Sequence, residues 1–281
     1  MRYREALAEA ASRLAEAGIG QPVLDARRLL QHAAGVGHAA LIARSGEDVP
    51  AGALEAYSKM IARRLGGEPV SRIAGVRAFF GLELQIGPEV LDPRPETEVL
   101  VSRVLDDIAD REAPLAFADV GTGSGAIAVA LLGQLPAARC VAGDVSPGAL
   151  AIAGMNARNH GVGDRMETVA CECLDAMAGP FDFIVSNPPY IPSGDIASLA
   201  REVRLHDPRL ALDGGSDGLS VYRALAAQAG GKLKPGGRLY LEIGAGQAGD
   251  VAQLAAGRGW LSEGTVADLA GIERVLVLRR P

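Results

Sequence analysis

FADVGTGSGAIAVALL, residues 117–132, joins an apolar run typical of a buried strand to an apolar helical run, through a loop that contains three glycines. Gly121, Gly123 and Gly125 let the backbone turn tightly, and they let a ligand approach because no Cβ atom is in the way. The helix that follows begins with unpaired N–H groups, which favour an anionic ligand group. The stretch therefore predicts a buried strand, a ligand-binding loop and a helix.

Strands and helices alternate through the rest of the chain in the same way. Pro95 is well placed in the first turn of a helix that runs to about Asp110. Repeated alternation with apolar strands predicts an α/β fold, in which helices cover both faces of a mostly parallel sheet. Seven strands are expected, at 115–120, 139–145, 166–171, 181–186, 238–243, 259–265 and 273–279. Further helices are expected at 126–135, 147–161, 217–230 and from Gln247.

The N-terminal part of the chain has a different pattern. Apolar residues recur there at helical spacing and glycines interrupt them, which predicts a small bundle of short amphipathic helices. Apolar residues then alternate with glycines over 70–91, which predicts a β-hairpin. We therefore expect a helical domain at 1–69, a hairpin linker at 70–91 and an α/β domain at 92–281.

Composition narrows the class of protein. The 281 residues include no apolar run of the roughly 18–20 residues that span a bilayer. The charged N-terminus lacks the apolar region of a secretory signal. Cys140, Cys171 and Cys173 are an odd number without the spacing of a zinc site. These features predict a reduced, cytoplasmic protein with no membrane span and no metal site.

Charge is unevenly distributed along the chain. The net charge is −6, but residues 1–75 carry ten Lys and Arg against eight Asp and Glu, a net of +2, and the remainder carries −8. An acidic α/β part argues against a broad, sequence-independent grip on nucleic acid. We expect no stable nucleic-acid partner.

The glycine loop is followed by an acid at a spacing typical of nucleoside-binding sites. Asp144 ends the next strand, 19 residues after Gly125, where its carboxylate can accept hydrogen bonds from both ribose hydroxyls. The loop GTGSGA also fits the dinucleotide pattern, so this motif alone leaves NAD and S-adenosylmethionine both open. Glu172 after the third strand and an Asn-Pro-Pro-Tyr loop after the fourth favour S-adenosylmethionine.

The segment FDFIVSNPPYIP, residues 181–192, ends a buried strand in that loop. Pro188 and Pro189 hold the backbone extended, and Pro188 has no N–H, so its carbonyl is its main hydrogen-bonding group. The Asn187 side-chain oxygen and this carbonyl form two fixed acceptors, and Tyr190 adds an aromatic wall. Two acceptors suit a planar NH2 group, because they orient its nitrogen toward an electrophile without any strong base.

At this point the chain resembles class I S-adenosylmethionine-dependent methyltransferases with an Asn-Pro-Pro-Tyr motif, some of which methylate nucleic-acid amines. Three further segments are similar to one branch, the release factor glutamine methyltransferase family (the PrmC/HemK type). These segments are LDPRPETEVLV at 91–101, EVRLHDPRLALDGGSDGLSVYRAL at 202–225 and LKPGGRLYLEIGAGQ at 233–247. The resemblance covers essentially the whole chain. It implies a Rossmann-like methyltransferase domain and an N-terminal helical domain that binds the protein substrate.

The resemblance also implies roles for individual residues. S-adenosylmethionine, which leaves as S-adenosylhomocysteine, is expected to contact Gly121, Thr122, Gly123, Ser124, Gly125, Asp144, Glu172, Cys173 and Asn187, with Thr97 and Glu98 bordering it. Asn187 and Pro188 are expected to hold the glutamine amide of a peptide chain release factor, beside Pro189 and Tyr190. The chain departs from the family pattern at Asp92 and at Glu172-Cys173, which concerns cofactor affinity and not the reaction type.

Three other hypotheses about the function compete with this one. A methyltransferase of nucleic-acid amines should show a basic face, and the acidic α/β part counts against it. A non-catalytic binding module would not need an intact Asn187 and glycine loop. A nicotinamide-dependent oxidoreductase would need a catalytic Tyr–Lys or His pair, which the motifs do not supply.

Overall fold

The structure, a computed structural model, describes residues 1–280, which divide into two compact units. The first unit contains residues 1–76 and 200–206, and the second contains the other described residues. In this described part of the chain, no helix combines the length and the apolar character needed to cross a membrane.

The first unit is a small helical bundle, as the N-terminal pattern predicts. Pro22 lies in the first turn of its second helix, and Gly35 ends that helix in the left-handed conformation. The apolar faces of the helices form one buried core that includes Leu14, Leu29 and Ile61. The helices are α1 (Tyr3–Glu16), α2 (Pro22–Ala34), α3 (His38–Ala43), α4 (Ala51–Leu65) and α5 (Val70–Ala74).

Helix α5 corrects one prediction, because a hairpin was expected to begin at residue 70. Pro69 precedes the first turn of α5, and Gly75 ends it with a φ of 71°. Ile73 is buried in the helical core, and Val70 packs against the same core from the same side of the turn. Two β-branched residues three positions apart therefore belong to a helix. The hairpin itself is shorter, with strands β1 (Val76–Phe79) and β2 (Leu82–Gln85).

The second unit is built on a seven-stranded sheet, which confirms the predicted fold class. Its strands are β3 (Ala116–Val120), β4 (Arg139–Asp144), β5 (Met166–Ala170), β6 (Phe181–Ser186), β7 (Leu233–Glu242), β8 (Leu261–Ala267) and β9 (Glu273–Arg279). The order across the sheet is β5-β4-β3-β6-β7-β9-β8, and β9 runs opposite to the other six strands. Strand β7 begins five residues earlier than predicted.

Helices cover both faces of this sheet. Phe117 and Phe183 point to one face, where their rings stack with centroids 4.8 Å apart, and Ala118 and Ile184 point to the other. Because both faces are buried at the centre of the sheet, the central strands β3 and β6 are mostly apolar without alternation. The remaining helices are α6 (Glu98–Asp107), α7 (Ala126–Gln134), α8 (Pro147–Asn159), α9 (Arg201–His206), α10 (Ser220–Lys232) and α11 (Ala248–Ala256). Pro95–Thr97 is a 3₁₀ turn before α6, and α9, which was not predicted, belongs to the first unit.

The strand order determines where a ligand can bind. Strand β3 lies at the centre, with β4 on one side and β6 on the other, and all three run in parallel. Ligands of such sheets bind beyond the carboxyl ends of the strands, at the point where the connections diverge. The loops after β3, β4 and β6 meet at that edge.

A buried arginine holds the first unit together. The Nε atom of Arg64 lies 2.8 Å from the Oδ2 atom of Asp25, and its Nη1 atom lies 2.6 Å from the Oε1 atom of Glu202. Arg64 is 8% exposed and Asp25 is 7% exposed. Removal of Arg64 or Asp25 would therefore leave the charge of the other in a site that water hardly reaches.

We expect Arg64→Ala to lower the stability of the first unit by about 3 kcal/mol, because the Asp25 carboxylate stays buried without its cation. Urea unfolding followed by far-ultraviolet circular dichroism should show a transition at a lower urea concentration. Lys59→Ala is the control, since the Lys59–Glu55 pair is exposed, and it should change stability by less than about 0.5 kcal/mol. Equal midpoints for Arg64→Ala and the unchanged protein contradict this account.

Candidate active site

A cavity of about 420 Å³ lies at the carboxyl edge of the sheet. It brings together most of the predicted site residues, although they are separated by up to about 90 positions in the chain. The predicted residues that line it are Thr97, Gly121, Thr122, Gly123, Ser124, Asp144, Glu172, Cys173, Asn187, Pro188 and Pro189. A volume of this size is typical of a site for a small organic ligand.

The glycine loop is held tightly at its base. The N–H groups of Gly121 and Thr122 both donate to the carbonyl of Gly143 at 2.9 Å. Gly125 does not line the cavity. Its φ is 79°, and a Cβ atom there would lie 3.1 Å from the Cβ atom of Ala153, so glycine is needed for close packing against α8.

Asp144 is oriented by two backbone groups. Its Oδ2 atom accepts a hydrogen bond from the N–H of Gly123 at 2.9 Å, and its Oδ1 atom accepts one from the N–H of Ser146 at 2.9 Å. Each carboxylate oxygen keeps a further lone pair, so the group can still accept hydrogen bonds from a ligand in the cavity.

Asp119 supports the same loop and was not identified from the sequence. Its Oδ2 atom accepts hydrogen bonds from the Thr122 hydroxyl at 2.7 Å and from the N–H of Ala128 at 3.2 Å. Burial raises the pKa of Asp119 to about 7, the two hydrogen bonds oppose this rise, and the charge of Asp144 adds to it. Asp119 could have been identified from the sequence, because it is an acid inside the apolar run FADV.

The segment after β5 contributes two predicted residues and one more. Cys171 also lines the cavity, and its thiol donates to the carbonyl of Cys173 at 3.3 Å. Burial raises the pKa of Cys173 to about 11, so this side chain is a neutral thiol at neutral pH. Glu172 is exposed at the rim.

Asn187 lies where β6 ends next to β3. The Ser186 hydroxyl donates to the carbonyl of Val120 at 2.7 Å, which ties the two strand ends together. The Nδ2 group of Asn187 donates to the Thr97 hydroxyl oxygen at 3.1 Å. Thr97 therefore connects the segment before α6 to the loop after β6.

Tyr190 and Glu98 are located differently from the other predicted residues. Among the described residues that line the cavity, neither is present. The Tyr190 ring is partly buried against the apolar core on the sheet face to which Ala118 and Ile184 point. It lies close to Gly244, where an added Cβ atom would be 3.0 Å from its Cδ2 atom. The Glu98 carboxylate accepts a hydrogen bond from the N–H of Phe80 in the hairpin. A role for Tyr190 beside a substrate stays a prediction.

Glu242, at the end of β7, is a second acid that was not identified from the sequence. Leu241 pairs with Ser186, so Glu242 lies beside Asn187 on the neighbouring strand. It is 2% exposed, and burial raises its pKa to about 7 against the hydrogen bonds of Thr97 and Asn187 and the charge of Arg274. Within residues 1–280 its Oε2 atom has no hydrogen-bond partner. A charged residue inside the apolar run LYLEI was the available signal.

Asp92, a departure from the family pattern, is buried and lies beside a cation. Its Oδ1 atom is 3.5 Å from the Nε atom of Arg77. Its backbone N–H donates to Asp207, which also pairs with Arg94 at the cavity wall, with 2.5 Å between Nη2 and Oδ2. The acid at this position is therefore part of a charged network that holds the segment before α6.

The fold and the cavity define a methyltransferase of the class I type. A family model described as the methyltransferase small domain matches residues 95–215. A methyltransferase from Pyrococcus furiosus has a similar fold, with a TM-score of 0.54 and 17% identity over 79% of this chain and 98% of that one. The ribosomal protein L11 methylase from Lactobacillus delbrueckii subsp. bulgaricus has a TM-score of 0.52 and 21% identity. The match covers 70% of this chain and 84% of the methylase chain.

Two further comparisons show the family. A model of the PrmC N-terminal domain matches residues 5–75. The release factor glutamine methyltransferase of Bradyrhizobium diazoefficiens is 45% identical over 273 residues, which cover 96% of this chain and 92% of the relative. That of Cereibacter sphaeroides is 43% identical over 282 residues, which cover 100% and 99%. The chain belongs to the release factor glutamine methyltransferase family, which confirms the resemblance seen in the sequence.

The buried state of Asp119 predicts a dependence of stability on pH. The folded protein keeps the proton of Asp119 up to about pH 7, whereas the unfolded chain loses it near pH 4. The free energy of unfolding should therefore fall as the pH rises through this window, by up to about 1.4 kcal/mol per pH unit from this group. Urea unfolding between pH 5 and pH 7 should show a shallower fall in Asp119→Asn than in the unchanged protein.

Asp217→Asn is the matched control, because Asp217 is exposed and its ion pair with Arg223 lowers its pKa to about 2. It titrates outside the window and should leave the slope unchanged. An equal slope in the unchanged protein and in Asp119→Asn means that Asp119 is already ionised in the folded protein at pH 5.

Proposed function

We propose that this protein transfers a methyl group from S-adenosylmethionine to the side-chain amide nitrogen of the glutamine in the Gly-Gly-Gln motif of peptide chain release factors. The observation that carries the proposal is that Asn187 and Pro188 line the same cavity as the glycine loop and Asp144. Membership of the family supports the same substrate, since its curated relatives are named for it.

The residues around the cavity fit S-adenosylmethionine. Gly121 and Gly123 line it with positive φ angles, and an added Cβ atom at either would meet no protein atom within 4 Å, so the space in front of the loop is free for a ligand. Asp144 is oriented to accept hydrogen bonds from a ribose, and the segment of Glu172 and Cys173 would border the adenine. When bound, the cofactor supplies an electrophilic methyl group on a sulfonium.

The protein's part in the reaction is to orient a weak nucleophile. An amide nitrogen is a poor nucleophile because its lone pair is delocalised into the carbonyl group. The Asn187 side-chain oxygen and the Pro188 carbonyl would accept its two N–H groups, which aims the nitrogen at the methyl carbon. Transfer of the methyl group would leave positive charge on the nitrogen, and the two acceptors would stabilise it. The extra proton leaves to solvent afterwards.

The partner is proposed to be a protein and not a nucleic acid. The part of the chain after residue 75 carries a net charge of −8, which disfavours a phosphate backbone close to the cavity. The helical unit formed by α1–α5 is proposed to bind the release factor. The proposed substrate, a peptide chain release factor, also implies that the enzyme acts in the cytoplasm, where translation terminates.

The first test is direct methylation. The purified protein, labelled S-adenosylmethionine and a bacterial release factor should give label in the peptide that contains Gly-Gly-Gln. Replacing that glutamine in the substrate should abolish the label, because no other side chain then presents the amide. Label that persists, or that appears on transfer or ribosomal RNA in a parallel reaction, contradicts the proposal.

Asn187→Ala should lower kcat by about a hundred- to a thousandfold, since it removes one of the two acceptors that stabilise the developing charge. The affinity for S-adenosylhomocysteine, measured by calorimetry, should change by less than about threefold. Asn159→Ala is the matched control, because Asn159 is exposed on α8 away from the cavity. If Asn187→Ala loses cofactor binding as well, Asn187 acts mainly in the cofactor site.

A further inference from the structure

The side chain of Gln247 bridges two loops at the carboxyl edge of the sheet. Its Oε1 atom accepts a hydrogen bond from the N–H of Gly244 at 3.0 Å, and its Nε2 group donates to the carbonyl of Tyr190 at 3.0 Å. Gly244 lies in the turn after β7, whereas Tyr190 lies in the loop after β6. One amide therefore connects the loop that contains Asn187 and Pro188 to the end of the neighbouring strand.

The Gln247 side chain does not serve the helix at whose start it stands. It directly precedes α11, where a polar side chain commonly accepts a hydrogen bond from the first turn. Within the described residues it makes no such bond. Its amide is engaged with Gly244 and Tyr190 instead. The reversed amide would set its NH2 group against an N–H and its oxygen against a carbonyl, so only one orientation satisfies both neighbours.

Gly218 leaves the space in which the Gln247 donor meets the Tyr190 acceptor. Its φ is 75°. An added Cβ atom would overlap the Tyr190 carbonyl oxygen and would lie 2.9 Å from the Nε2 atom of Gln247. A larger residue would therefore have to displace the donor or the acceptor, and the backbone conformation itself favours glycine.

The two prolines make the Tyr190 carbonyl an effective point of attachment. Pro188 and Pro189 have no N–H group, so their own backbone cannot be held by donating a hydrogen bond. Their rings also fix φ, which leaves few torsions to absorb a displacement between Tyr190 and the Pro188 carbonyl. Further along, the N–H of Ile191 donates to the carbonyl of Leu212 at 3.1 Å. The bond to the Tyr190 carbonyl thus holds the backbone directly after the prolines.

We propose that Gln247 is a positioning residue, which holds the loop after β6 so that the Asn187 oxygen and the Pro188 carbonyl meet the substrate amide at the correct distance. This rests on the proposed function, in which these two oxygens accept the N–H groups of the substrate. Gln247 is not among the described residues that line the cavity, so it acts through the Tyr190 carbonyl and not by contact with the substrate.

Two substitutions of similar length separate the two hydrogen bonds of Gln247. Gln247→Glu keeps an oxygen for the N–H of Gly244, but the ionised carboxylate has no proton for the Tyr190 carbonyl. Gln247→Met loses both bonds. The matched controls are the same two changes at Gln253, which is exposed on α11 and is not among the described cavity residues.

The first experiment observes the Tyr190 carbonyl without any turnover. Protein labelled with ¹³C at the tyrosine carbonyls and with ¹⁵N in isoleucine gives a single carbonyl-to-amide correlation, because Tyr190-Ile191 is the only Tyr-Ile pair in the sequence. A carbonyl carbon that loses a hydrogen bond moves to lower ¹³C frequency. At pH 8, with S-adenosylhomocysteine bound, Gln247→Glu and Gln247→Met should both move the signal in this direction. The Gln253 variants should leave it in place.

The second experiment measures methylation of the release factor by the same variants at pH 8. Gln247→Glu and Gln247→Met should each lower kcat about ten- to a hundredfold, because displaced acceptors no longer align the substrate nitrogen. The KM for the release factor and the affinity for S-adenosylhomocysteine should stay within about threefold. The Gln253 variants should match the unchanged protein.

The proposal is wrong if the Tyr190 carbonyl signal does not move in Gln247→Glu, or if kcat stays unchanged although the signal moves. It is also wrong if Gln247→Met alone lowers kcat, because Gln247 then acts only on the turn at Gly244. A loss of cofactor affinity that matches the loss of kcat also overturns it, since the variants then disturb the cofactor site. If the unchanged protein methylates no release factor, the proposed function fails, whereas the carbonyl signal still tests the contact that Gln247 makes.

Discussion

The pairing of β3 with β6 is the constraint on which the site depends. Val120 and Ser186 are register partners at the carboxyl ends of these strands, and the Ser186 hydroxyl closes the gap to the Val120 carbonyl. Gly121, the residue after Val120, begins the loop that follows β3. Asn187, the residue after Ser186, begins the loop that follows β6. A slip of this register by one residue would turn the side chains of β6 to the opposite face and move Asn187 away from the glycine loop.

Much of this architecture could be predicted because it follows from local patterns. Apolar strands alternating with helices predict a parallel sheet, and parallel strands bring Gly121, Asp144 and Asn187 to one edge. The helix at Val70–Ala74 could not be separated from a strand by its two β-branched residues, since a run that short lacks a clear period. Only its packing in the helical core decides between the two.

The residues that sequence reasoning missed share a physical reason. Neither Asp119 nor Glu242 is among the described residues that line the cavity. Asp119 acts on the glycine loop from behind, through the Thr122 hydroxyl. Glu242 comes near Thr97 only through the fold, because the two residues are far apart in the chain. Tyr190 shows the opposite case, since its position in a motif suggested a wall, yet its ring is packed toward Gly244. Which side of a loop faces a ligand depends on tertiary contacts that spacing does not encode.

The first unit is discontinuous in the sequence, because helix α9 belongs to it while the chain on either side of α9 belongs to the second unit. Glu202 on α9 binds Arg64 on α4, so one buried cation depends on an acid that follows it by 138 positions. During synthesis the helical bundle emerges first, yet it lacks this partner until most of the sheet has been made. An excised N-terminal fragment would leave Arg64 with Asp25 but without the Glu202 carboxylate. The boundary that the sequence suggests near residue 70 is therefore not a boundary at which the protein can be cut cleanly.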